Sequence, residues 1–184
     1  SCSPDFGTQG VVDRFKQIEP KVFITCDYYF YNGRKINILE KADEILKQIP
    51  SIKKTLVFNY NKDEKANYKK FINFDKVLNQ SKLDETFERF EFNHPIFILF
   101  SSGTTGKPKC ITHGTGNVLI EHNKEFMLHC DIRNNEKLFY YTTTGWMMWN
   151  WLVGGLATGS SIFLFDGAPV YPKLDILLEY CQNK

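Results

Sequence analysis

The chain has 184 residues, 42% of them hydrophobic and 15% aromatic, and its 23 Lys and Arg against 21 Asp and Glu leave a net charge of +2. That length and apolar content suit one sizeable buried core and exclude a disordered chain, while the balanced charge excludes the basic footprint of a nucleic-acid or membrane-surface protein. Five cysteines (Cys2, Cys26, Cys110, Cys130 and Cys181) are odd in number and form no Cys-x-x-Cys pair, which argues against a disulfide framework or a zinc site and for a reducing, cytoplasmic setting.

In chain order, Val11, Val12, Phe15 and Ile18 recur at helical spacing over residues 10–18, and Pro20 ends that helix. Residues 21–25 read as a short strand. Residues 28–31 then lead into Asn32-Gly33, a dipeptide that favours left-handed backbone and a tight reversal. From Ile36 the apolar positions Leu39, Ala42, Leu46 and Ile49 mark an amphipathic helix closed by Pro50, and residues 55–59 form the next strand. Residues 60–93 are polar with scattered aromatics, among them Phe71, Phe87 and Phe92, and read as a surface excursion with some helix.

An apolar strand over 95–100 runs into Ser101-Ser102-Gly103-Thr104-Thr105-Gly106-Lys107-Pro108-Lys109, and a second strand occupies 109–113. Glycines let backbone N–H groups approach an anion, hydroxyls donate further hydrogen bonds and lysines place point charges on phosphoryl oxygens. Each charge-assisted bond contributes about 1.5–3 kcal/mol, so a few together hold a triphosphate. The commoner NTPase loop needs four residues between its glycines and a hydroxyl straight after the lysine; here two residues separate Gly103 from Gly106, and Pro108 follows Lys107. A solvated linker is the plainer alternative, but linkers seldom join two strands.

Beyond the loop the chain continues as strand, helix, strand, helix, strand, helix. With the first half, this alternation predicts an α/β fold of layered, largely parallel sheets with flanking helices. His113 either lies near a bound nucleotide or caps the next helix. His122 and His129 are seven apart on one helix face and, lacking carboxylate or cysteine partners, read as a surface stripe rather than a zinc site. Thr142-Thr143-Thr144-Gly145-Trp146 ends a strand and opens a helix with Thr144 as its N-cap, an end that attracts anions. Trp146, Met147, Met148, Trp149 and Trp151 are equally consistent with plain helix core. Asn150 differs, because an amide in an apolar helix is costly unless it bonds a neighbouring backbone group or a ligand. The most apolar stretch, residues 146–157, is shorter than the about 20 residues a membrane span needs.

Residues 101–109 resemble the signature loop of the acyl-adenylating superfamily. Thr144-Gly145-Trp146-Met147-Met148-Trp149-Asn150, within 140–153 and with 155–159 and 165–167, resembles the acetoacetyl-CoA synthetase branch, as do residues 1–7 and 13–21. The resemblance implies that residues 1–184 form the central part of the large AMP-binding domain, with the small C-terminal lid outside it. It implies ATP-dependent ligation of a short acid to CoA through an acyl-adenylate, with ATP and CoA as substrates and magnesium in the complete enzyme. Small molecules and the rest of a parent chain would be its partners, and the piece alone would be inert. By the same resemblance Ser101, Ser102, Gly103, Thr104, Thr105, Gly106, Lys107 and Lys109 bind the ATP phosphates, and Thr105 and Lys109 are catalytic. Trp146, Met147 and Met148 would wall the acyl pocket and CoA channel, and no metal ligands fall within the chain. Such a loop opens to release pyrophosphate and is expected to be mobile. Cys110, which suits that branch, reads as a small buried hydrophobe rather than a nucleophile. Acetate or propionate activation, or a nucleotide-binding module without chemistry, are the competing readings.

Overall fold

A computed structural model of the chain describes residues 1–61, 70–80, 86–101 and 106–183, without the side chain of Gln80. The described residues divide between two units: one holds 4–87 with 106–108, the other 1–3, 88–101 and 109–183.

The first unit is built from α1 (Thr8–Ile18), β1 (Val22–Cys26), β2 (Tyr28–Tyr31), β3 (Arg34–Asn37), α2 (Leu39–Gln48), β4 (Lys54–Phe58), β5 (Ile72–Asn73) and α3 (Phe74–Gln80). Helix α1 stops where Glu19 turns to a φ of 46° and its N–H returns to the Phe15 carbonyl at 3.1 Å. Strand β1 pairs in parallel with β4, from Val22 opposite Lys54 to Cys26 opposite Phe58, and β5 adds to β4 in the same direction. Helix α2 is the crossover that a parallel pair requires. The polar excursion thus contains a helix, as expected, and also a short strand that its composition conceals. Between β1 and α2, Asn32 and Gly33 turn a hairpin with φ of 48° and 72°, left-handed at both positions, so Tyr31 faces Arg34.

That hairpin corrects the start of the second helix. Cross-strand pairing claims Ile36 for β3, and α2 begins at Leu39. Its buried stripe is Ala42 and Ile45, continued by Ile38 and Ile49 at either end, while Leu46 sits on the flank. Val11 and Val12 of α1 and Val57 of β4 are buried as well. Asp27 is also buried: its Oδ1 accepts the N–H groups of Tyr28 at 2.8 Å and Tyr60 at 2.9 Å, and its carbonyl accepts the Ile38 N–H at 2.9 Å. Such bonds offset the cost of taking a carboxylate out of water and tie three segments together.

The second unit contains β6 (Pro95–Ser101), β7 (Lys109–Gly114), α4 (Thr115–Lys124), β8 (Lys137–Phe139), α5 (Met147–Gly154), β9 (Ser161–Phe163) and α6 (Ile176–Gln182). The α/β class stands, and three of the five strand pairings among the described residues are parallel. Strands β6 and β7, on either side of the predicted phosphate loop, are however antiparallel, from Pro95 opposite Gly114 to Ser101 opposite Lys109, and form a hairpin. Strands β8 and β9 are parallel, with α5 in their crossover. Phe126, Leu138 and Leu152 form the core here, with the Trp151 ring 4.5 Å from that of Phe126. Burying each such side chain contributes about 1.5–3 kcal/mol.

Two further expectations change. After α4 the helix widens into a π turn over Glu125–His129, closed by the Cys130 N–H on the Glu125 carbonyl at 2.9 Å. The widening breaks the seven-residue register, so His122 is half-buried against Gly154 while His129 is exposed; the pair is not a surface stripe. Strand β8 ends at Phe139, and α5 starts only at Met147 with Trp146 in the cap position, so Thr144 is not the N-cap. Its carbonyl instead accepts the Ser1 hydroxyl.

Candidate functional site

Side chains alternate along a strand, so Phe97, Leu99 and Ser101 share one face of the β6–β7 hairpin with His113, Ile111 and Lys109 opposite them. Ser101 and Lys109 form the last pair before the loop. Ser102, Gly103, Thr104 and Thr105, the centre of the predicted phosphate site, lie outside the described residues, and so does the larger part of the expectation that the loop moves. Gly106 has a φ of 96°, and no heavy atom lies within 4 Å of where a Cβ would stand, so the backbone conformation rather than space calls for glycine. Lys107 and Lys109 are both exposed.

Within the first unit, the Gln17 side-chain amide donates to the Pro108 carbonyl at 2.9 Å and to the Asp13 carbonyl at 2.6 Å. Helix α1 thereby holds the arm of the loop next to Lys107. Sequence reasoning missed Gln17, since an outward-facing glutamine on a helix carries no local signal.

In the second unit a cavity of about 490 Å³ opens beside the hairpin face, with Phe97, Leu99, Val118 and Met147 among its apolar walls. Its polar edges come from His113, Asn117, Glu121, His122 and Asn150. The volume is that of a small-molecule site, mostly apolar with a few polar groups. Of the three residues predicted for the acyl pocket, Met147 lines this cavity, whereas Trp146 is 66% exposed and Met148 is not among the lining residues. His113 joins the lining and does not cap α4: Gly114 holds the cap position. The first N–H groups of α4 go to the preceding chain, Thr115 to the His94 carbonyl at 2.8 Å and Gly116 to the Phe92 carbonyl at 2.9 Å. Cys110 falls on the other face of the hairpin and is exposed, not buried, because alternation turns it away from Lys109.

Burial lowers the pKa of His122 from the usual imidazole value, against the opposing pull of the Glu121 carboxylate, so the fold favours the neutral ring. Glu121 itself is held by Lys124 at 2.8 Å. The same ammonium meets Glu125 at 2.9 Å, and the two hydrogen bonds raise the Lys124 pKa. In the chain leading to α5 the Thr143 hydroxyl is buried and makes no hydrogen bond to any described residue. Among the described residues no group of three His, Cys, Asp or Glu could hold a metal ion, and no helix is long and apolar enough to cross a membrane.

The profile of the AMP-binding enzyme family matches residues 1–184. The chain is 46% identical over 186 residues to the acetoacetyl-coenzyme A synthetase of Rhizobium meliloti (strain 1021), covering 98% of this chain and 28% of that protein. It is 46% identical over 190 residues to the acetoacetyl-CoA synthetase of Gallus gallus, covering 96% and 28% respectively. The solved acetoacetyl-CoA synthetase from Streptomyces lividans superposes with a TM-score of 0.89 at 39% identity, over 96% of this chain and 27% of that one. The chain therefore spans about 28% of the length of the curated relatives it matches.

Proposed function

The chain belongs to the AMP-binding enzyme family, and from that premise we propose that it is the central part of the large domain of an ATP-dependent acid–thiol ligase that makes acetoacetyl-CoA. In the first half-reaction an acetoacetate carboxylate oxygen attacks the α-phosphorus of ATP, the bond to the bridging oxygen breaks, and pyrophosphate leaves. The CoA sulfur then attacks the acyl carbon and AMP departs.

In this reading the hydroxyls of Ser101, Ser102, Thr104 and Thr105 and the amides of Gly103 and Gly106 donate to the β- and γ-phosphates. Lys107 and Lys109 offset the charge that builds on the departing pyrophosphate. Thr105 and Lys109 act on the reacting phosphates and are the catalytic pair. Met147 faces the acyl group. Magnesium would accompany the ATP in the complete enzyme. The dispersed, odd cysteines favour a cytoplasmic setting.

One observation supports this reading above others. The Ser101–Lys109 pair that begins the phosphate loop lies on the same hairpin face as Leu99 and Phe97, which wall a ligand-sized cavity. Two residues along a strand advance about 7 Å, so a charged end for phosphates and an apolar end for a short acyl chain lie within reach of one small substrate. The test is pyrophosphate exchange by the complete protein with acetoacetate, acetate and propionate in parallel. Fastest exchange with acetoacetate is expected, together with no turnover by the 184-residue segment alone. Absence of exchange with every acid would refute the ligase reading.

A further inference from the structure

We propose that Asn150 determines acid specificity, its side-chain N–H donating a hydrogen bond to the 3-oxo oxygen of the substrate acid inside the cavity beside the hairpin. The assignment rests on the acid-activating reading above and extends it to a residue on the next turn of α5. Asn150 is half-buried and is the one polar side chain in the helix sequence Met-Met-Trp-Asn-Trp-Leu-Val-Gly. It lines the same cavity as Met147, three residues earlier and therefore on the same helix face.

A side-chain amide offers two donors and an acceptor, and no hydrogen bond joins that of Asn150 to a described residue. Half-buried on the cavity wall, the amide is open to whatever fills the cavity, and a ligand that displaces its water must bond it in turn. Of the cavity's other polar groups, Asn117 is exposed, and His113, Glu121 and His122 offer no neutral amide. Glu121 is held by Lys124 at 2.8 Å and would repel an anionic acid. The His122 ring packs against Gly154 and edge-on to Phe126, 6.3 Å between ring centres. A neutral amide N–H beside apolar Met147 instead suits an uncharged carbonyl on a short chain. A saturated acid of equal length would leave the donor unpaired.

The test is kcat/KM of the complete protein for acetoacetate and for butyrate, which has the same chain length without the oxygen. Wild type is expected to prefer acetoacetate by about 100-fold or more, since a pocket built to bond an oxygen rejects the analogue lacking it. Asn150→Leu and the isosteric Asn150→Asp, neither of which can donate from an ionised or apolar side chain, should each cut that ratio about 10- to 100-fold, mainly through acetoacetate. An unchanged ratio in a folded variant overturns the assignment and leaves the ligase reading intact. Wild-type activity on butyrate with none on acetoacetate sinks the acetoacetate reading itself. Loss of folding in both variants assigns Asn150 to helix packing and overturns the proposal.

Discussion

The side-chain amide of Gln17 reaches the main-chain carbonyl of Pro108 at 2.9 Å across 91 positions of sequence, and so fastens one arm of the proposed phosphate loop to helix α1. A single neutral hydrogen bond contributes about 0.5–1.5 kcal/mol, a factor of about 2 to 12 in an equilibrium. Gln17→Leu removes the donor while leaving the helix intact. In the complete protein KM for ATP should rise by about that factor, with kcat changed less. Steady-state kinetics at varied ATP check this, and an unaltered KM would show that the bond does not position the loop.

Removing loop donors should act more strongly on the chemistry. Thr105→Ala and Lys109→Ala each delete a group proposed to stabilise the departing pyrophosphate, a loss of about 100- to 1,000-fold in the adenylation rate for one such donor. Pyrophosphate exchange isolates that half-reaction. Full speed and affinity in the double variant would remove the basis for assigning phosphate chemistry to this loop.

His122 predicts the sign of one contribution to stability against pH. Burial lowers its folded pKa below the usual 6.5, so as pH falls the unfolded chain takes up the proton first. The contribution is complete above about pH 6.5 and is lost as pH falls from there towards the lower folded pKa. Melting temperatures of wild type and His122→Gln, compared from about pH 7.5 down to about pH 5, should diverge in slope, with wild type losing more. Parallel curves would contradict the burial of that ring.

Gly154 tests the packing beneath the same histidine. A Cβ at Gly154 would stand 2.1 Å from His122 Nδ1, although the backbone there, with φ of −58°, accepts any residue. Gly154→Ala gains about 1 kcal/mol of helix propensity and meets about 1–3 kcal/mol of overpacking, so net destabilisation is expected. In a His122→Ala background the obstacle is gone and the same change should become stabilising. Chemical denaturation of the four proteins measures it, and the absence of that reversal would place the strain elsewhere.

What was legible in the sequence depended on neighbours a few positions apart. The Asn32-Gly33 reversal, the helix over 10–18, the strand-loop-strand around residues 101–109 and the α/β class all follow from local backbone preference and apolar period, and the structure bears them out. Local preference also misled where a longer-range partner outweighed it. Ile36 joined β3 because a strand was there to pair with, His122 turned inward because α5 offers a glycine beside it, and Cys110 stayed exposed because strand alternation, not its apolar character, set its face. Asn150 stood out in the sequence as an amide in an apolar helix, but the cavity that it lines and the Gln17 tether had no signature in the chain. Each depends on groups far apart in sequence, and packing alone decides which of those come within hydrogen-bonding distance.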